Sequence, residues 1–250
     1  MTEPINDRVY IHEVIDIRGH HRADYMHHMA ANWSPLAQET RDQKLFGMWS
    51  VLGSTGPWPK VVNIWEERGF AGLAASFAGE AVGPGAQDPA LEKWWAKANE
   101  FRSGGFDRLV KPAPWSPSID DLCASGAGGV AYAHETISVR AGSSWDFLDL
   151  VRERAVPVYG AFGCSLVGAF VTTMVDDDEC ILLWSFPTWD DWARFEDGHL
   201  PGGDPGLRDW RAWSSDLVTA RHRILLVDAP LSPLRTGRQP TRDDQTDWTE

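Results

Sequence analysis

The feature that most limits what this chain can fold into is a stretch it contains twice. Tyr10-x-His12-Glu13-x-Ile15-x-x-Arg18 returns as Tyr132-x-His134-Glu135-x-Ile137-x-x-Arg140, each named position displaced by 122 residues. Asp88-Pro89-x-Leu91-x-x-Trp94 matches Asp204-Pro205-x-Leu207-x-x-Trp210, and Ala113-Pro114-Trp115-Ser116-Pro117 matches Ala229-Pro230-Leu231-Ser232-Pro233, both at a spacing of 116. Three landmarks in one order with a slowly drifting offset imply two copies of one module. Domain bounds follow: a first module over 1–118, a linker over 119–129, a second module over 130–234 and a flexible tail over 235–250.

Both copies carry the same alternation of periodicities. Val9 to Ile17 and Val130 to Val139 alternate as strands. Helices are expected from Asp24 to about Leu36 and from Ser144 to about Val156, followed by hairpins over Leu45–Trp65 and Ala161–Phe186. Asp88-Pro89 and Asp204-Pro205 start further helices, because Asp caps free amides and Pro loses no hydrogen bond in a first turn. The helix after Asp204 is extended as far as Arg221, and the closing strands are placed at Phe106–Lys111 and Ile224–Val227. The order β-α-β-β-α-(α)-β in each copy predicts an α+β fold: tandem ferredoxin-like modules forming an α+β barrel.

A net charge of -13, with no basic block, argues against nucleic acid and anionic membrane as partners. No apolar run approaches the roughly 20 residues that cross a bilayer, and the first residues lack the basic and apolar regions of a signal peptide. A cytoplasmic protein is expected, its three cysteines free thiols. Fourteen Trp supply rigid aromatic surface for a cavity or an oligomer interface, so the expected partners are a small apolar or aromatic molecule and further copies of the chain.

The strands around His12-Glu13 and His134-Glu135, the hairpin strands ending Val62-Asn63-Ile64-Trp65 and Leu182-Leu183-Trp184, and the proline-rich segments after each closing strand together resemble the NIPSNAP family of the dimeric α+β barrel superfamily, here in two tandem copies. The resemblance spans Val9 to Leu234. It implies a cavity between sheet and helices or inside the barrel. The superfamily's chemistry ranges over cofactor-independent oxygenases, cyclases, decarboxylases, dehydratases and heme proteins. No catalytic motif of the NIPSNAP branch carries over to particular residues.

Residues two apart on a strand share a face, so Tyr10 with His12 and Tyr132 with His134 point away from the helices. Histidine can take a proton near neutrality and a tyrosine hydroxyl can donate to an oxyanion, which makes His134 the candidate base, Tyr132 the donor, and His12 and Tyr10 a second pair. The alternative is a core hydrogen-bonding pair inherited by both copies. Asp16 shares the face of His12, but its counterpart is Ser138. Trp65 and Trp184 are candidate aromatic walls of a substrate site. Glu13 and Glu135 lie among aliphatic side chains, where ion pairs with Arg18 and Arg140 are expected; proton transfer by a Glu in a helix-side pocket is the alternative.

No cofactor or metal is expected. Two alternatives carry named residues: a divalent metal on His20, Asp24 and His28 of the cluster His20, His21, His27 and His28, or heme on His199 or His222, with Arg221 and Arg223 for its propionates. The function these residues suggest is binding, and conversion by acid/base chemistry, of a small aromatic metabolite, as a lyase, cyclase or monooxygenase. A heme or metal enzyme and a non-catalytic assembly module are the competing readings.

Overall fold

A computed structural model describes residues 5–245. Eight strands form it: β1 Val9–Ile17, β2 Lys44–Val51, β3 Lys60–Glu67, β4 Arg102–Pro112, β5 Ala131–Val139, β6 Ser165–Thr173, β7 Glu179–Phe186 and β8 Val218–Asp228. They close into one antiparallel barrel in the order β1-β3-β2-β8-β5-β7-β6-β4. The joints between the halves are β2 on β8 and β4 on β6, so the barrel is completed within a single chain.

Nearly every residue of β2, β3, β6 and β7 is buried, because the strands have cover on both faces. One face fills the barrel with Tyr10, Phe46, Trp49, Ile64, Tyr132, Phe170, Leu183 and Leu226. Each fully buried side chain of this size contributes roughly 1.5–3 kcal/mol of transfer free energy. The other face carries the helices, in one cluster around Tyr25, Met29, Trp33 and Trp65 and another around Phe147, Tyr159, Trp184 and Trp210.

Several segments differ from the sequence expectation for physical reasons. The first helix of each half contains a π-helical stretch, His28–Trp33 and Val151–Ala155. Each lies just before a proline, Pro35 or Pro157, whose missing N–H removes one i→i−4 bond from the turn. The expected linker is a helix, Ile119–Ser125, opened by a capping box between Ser118 and Asp121. Ile119 and Leu122, with Leu234 from the short helix Pro233–Thr236, belong to the apolar barrel interior rather than to a solvated connection.

The helix after Asp204 ends at Ser214, and Arg221 lies in β8 instead. Part of the tail packs on β2: the Gln239 amide donates to Leu45 O at 2.7 Å and accepts from Leu45 N at 3.0 Å, satisfying backbone groups of that strand. Arg242 pairs with Glu39. The remainder of the expected tail lies outside the described residues.

Candidate functional site

At the centre of the barrel the two repeated histidines meet. His12 Nε2 and His134 Nε2 lie 2.8 Å apart, so one ring donates and the other accepts. Burial, reinforced by mutual repulsion and by Arg108, pushes His12 well below its ordinary value; burial, then Arg108, lowers His134 to about 4. Both rings are neutral at physiological pH. The tyrosines are equally committed: Tyr10 Oη donates to Glu66 at 3.0 Å and Tyr132 Oη to Asp228 at 2.5 Å. Burial, followed by its carboxylate partner, raises each phenol far from neutrality. Tyr10, His12, Tyr132 and His134 thus stand in a packed interior, the histidines turned on each other and each tyrosine on a carboxylate.

An aromatic cleft lies elsewhere, on the helix-covered face of the first half. A cleft of about 350 Å³ is walled by Met29, Trp33, Trp65, Leu91, Trp94 and Trp95, with Glu13 and Asp107 among its lining. Trp33 and Trp94 sit 4.6 Å apart between ring centroids, and Trp94 meets Trp95 edge-on at 4.9 Å. The π-helical stretch supplies Met29 and Trp33 to the wall. Thr173, Met174 and Val175, from the end of β6 and the turn after it, line the same cleft, so the second half completes a site built on the first. Met174 is 83% exposed, which puts it at the mouth.

Glu13 Oε2 accepts from Trp65 Nε1 at 2.7 Å and from Asn63 Nδ2 at 3.1 Å, and the same amide donates to Tyr25 Oη at 2.8 Å. Asn63 on β3 and Asp107 on β4 flank it in register. The expected partner Arg18 is exposed, and among the described residues Glu13 makes no ion pair. Burial, then the nearby Asp107 carboxylate, raises Glu13 to about 7, against the lowering effect of its two N–H donors and of Arg102. Burial also raises Asp107. A carboxyl group poised near neutrality beneath an aromatic wall can take a proton from a bound molecule and return it.

The second half treats the same glutamate differently. Glu135 is paired in register with Arg223, which occupies the position opposite it that Asp107 occupies opposite Glu13. Arg223 holds it by two contacts, at 3.0 and 2.9 Å, and Trp184 Nε1 donates at 3.2 Å. Although burial opposes it, Arg223 and then Arg221 bring Glu135 below its ordinary value. The ion pair expected from the exposed Arg140 is therefore made by Arg223, across the ladder instead of along the strand. Trp184 packs on Tyr159 at 4.5 Å, fully buried, while Trp65 lines the open cleft.

The cofactor alternatives do not find matching geometry. Among the described residues no group of three or more His, Cys, Asp or Glu side chains could hold a metal ion. His21 is tied to Asp24 at 2.8 Å, and His28 stacks on Trp94 at 4.8 Å. His222 lies on β8, where it faces the opposite side of the sheet from Arg221 and Arg223. His199 Nε2 lies 3.4 Å from the Arg223 guanidinium. Heme with propionates on those arginines and His222 as ligand therefore does not fit. No described helix is long and apolar enough to cross a membrane. Asp16 is engaged by Lys60 at 2.7 Å.

The sequence alone marked Glu13 and Trp65 separately but not the decisive contrast, which lay in Asp107 against Arg223. Those residues are 116 apart, the spacing of the second and third landmarks, so the repeat offset itself could have exposed it.

No family model and no curated protein matches this chain. Solved structures do. A candidate monooxygenase from Lactobacillus acidophilus NCFM superposes at a TM-score of 0.58 with 9% identity, covering 95% of this chain and 97% of that one. An anthrone oxidase-like protein gives a TM-score of 0.54 at 8% identity over 89% of this chain and 92% of its own. A NIPSNAP family protein from Agrobacterium tumefaciens str. C58 aligns with 43% of this chain and 93% of its own, at 24% identity and a TM-score of 0.36. The first two likenesses show that the chain has the α+β barrel fold found among monooxygenase-like structures.

Proposed function

We propose that the chain binds a small, planar aromatic molecule in the first-half cleft and removes a proton from it with Glu13. The observation that carries this reading is one carboxyl group raised to about 7 at the base of an aromatic cleft, while its repeat counterpart is neutralised by Arg223. In the step itself the substrate's C–H or O–H bond breaks, its electron pair stays on the substrate as an enolate, phenolate or carbanion, and the proton goes to a carboxylate oxygen of Glu13. Trp33, Trp65, Trp94 and Trp95 supply stacking surface, and Trp65 Nε1 fixes the carboxylate. Such a step can open lyase, cyclase and cofactor-independent oxygenase chemistry on acidic aromatic substrates, and two of the structural neighbours carry monooxygenase and anthrone oxidase-like names. The expected role of His134 as base passes to Glu13, because the histidine is locked to His12 and does not line the cleft.

The same reading takes the two halves as tandem ferredoxin-like modules. Their strand orders, β4-β1-β3-β2 and β8-β5-β7-β6, correspond position for position, and Gly47 and Gly168 mark the same irregularity in each.

The test is hydrogen–deuterium exchange at the acidic methylene of anthrone, followed by proton NMR in D2O. The wild type should accelerate exchange over buffer, and Glu13→Gln should lose about 10²-fold of that acceleration with an unchanged circular dichroism spectrum. Equal exchange by the two proteins would refute Glu13 as the base.

A further inference from the structure

The helix-side space of the second half has a different chemistry from the cleft of the first. Its volume is about 490 Å³, and its walls are Arg211, Arg221, Arg223, His199, Ser214 and Glu196, with Ser215 and Val218 completing it. Position for position along the repeat, Arg211 stands where Trp95 walls the first cleft, and Arg223 where Asp107 stands. An aromatic and acidic lining has become a basic one, in a chain whose net charge is -13.

The arginines are not all spent on carboxylates. Arg223 engages Glu135 at 2.9 Å and Glu196 at 3.3 Å, which uses its fork. Arg221 donates through Nη2 to Ser214 Oγ at 3.3 Å, lies over the Trp210 ring at 5.7 Å, and leaves its buried Nε without a partner. Neither Arg211 nor Arg221 makes an ion pair among the described residues. Ser214 and Ser215 lie at the C-terminal end of the helix Pro205–Ser214, whose carbonyls carry about half a negative charge. Three guanidinium groups thus face two carboxylates, Glu135 and Glu196, and a helix end, which leaves the cleft with a small net positive charge carried by Arg211 and Arg221. His199, half-buried beside Arg223 and Arg211, is held neutral, at about 4, by burial and then by their charge, and so adds no charge of its own to the cleft.

We propose that this second cleft is a binding site for a small anionic group of the phosphate or carboxylate class, taken by the guanidinium groups of Arg211 and Arg221. Planar guanidinium forks suit tetrahedral and planar oxyanions, and charge-assisted bonds to them are about twice as strong as neutral ones. The free anion and an anionic group on a larger organic ligand share this chemistry. The site does not depend on proton transfer in the first cleft.

Isothermal titration calorimetry of the full chain with inorganic phosphate and with phenyl phosphate, in chloride buffers of matched ionic strength, tests it. Saturable binding is expected, weakened about ten-fold in Arg221→Met and in the exposed Arg211→Ser, and unchanged in Glu13→Gln. Equal affinity for the two probes identifies a free-anion site, and tighter phenyl phosphate identifies an organic ligand; both outcomes support the assignment. Arg211→Ser guards against a folding defect from loss of the Arg221 stack on Trp210. Heats that vanish at matched ionic strength, or affinity retained in Arg211→Ser and Arg221→Met, would overturn it.

Discussion

Glu13 shows how one residue type acquires two behaviours in a single chain. Its strand neighbours are Asn63 and Asp107, whereas Glu135 sits between Leu182 and Arg223. The consequence for stability has a definite sign. Glu13 is raised from 4.5 to about 7, so its contribution is fully present below about pH 4.5 and is lost as pH rises through about 7. At pH 8 the folded protein holds a buried carboxylate at a cost of about 3 kcal/mol. Glu13→Gln keeps an oxygen for the Trp65 and Asn63 donors and removes that cost. Its melting temperature should exceed the wild type's at pH 8 by several degrees, and the gap should close at pH 5. Much of this site was legible in the sequence: Glu13 among aliphatic residues needed a partner. The nature of the partner was not, because a cross-strand neighbour some ninety residues away is set by register, while Arg18 was merely near in sequence.

Among the elements, the β2 and β6 irregularities rest on glycines that no periodicity or turn signal singles out. A Cβ on Gly47 would come within 2.1 Å of the Trp49 ring, and one on Gly168 within 2.3 Å of Phe170. In each case the aromatic side chain folds back over the glycine two residues earlier, beside a shift in ladder register. Gly47→Ala should therefore destabilise by about 1–3 kcal/mol through overpacking, read as a lower urea midpoint at unchanged m-value. An unchanged midpoint would show that the ring moves freely. The π-helical stretches were hidden for a related reason. Apolar spacing at 3.6 residues describes both Tyr25-to-Trp33 and a local i→i+5 turn nearly as well, and only the paired Pro35 and Pro157 betray the difference.

Across the whole molecule, the duplicated landmarks led to a barrel of eight strands with helices outside, and periodicity placed every strand. Boundaries failed where tertiary contacts decide: β8 begins at Val218 because β5 extends to meet it, and the tail is held by Gln239 against β2. Sequence also pointed inward, to the Tyr-x-His faces, since it could not tell that Phe46, Trp49 and Phe170 fill the barrel. Closing the barrel within one chain frees the two helix-side clefts to differ, one acidic and aromatic, the other basic. The clearest measurement of that division is a carbon-13 NMR titration of the glutamate side-chain carboxyls, with Glu13→Gln and Glu135→Gln identifying the two signals. The account predicts that Glu13 titrates near 7 and Glu135 below the ordinary glutamate value of 4.5. Two signals titrating together near 4.5 would contradict it.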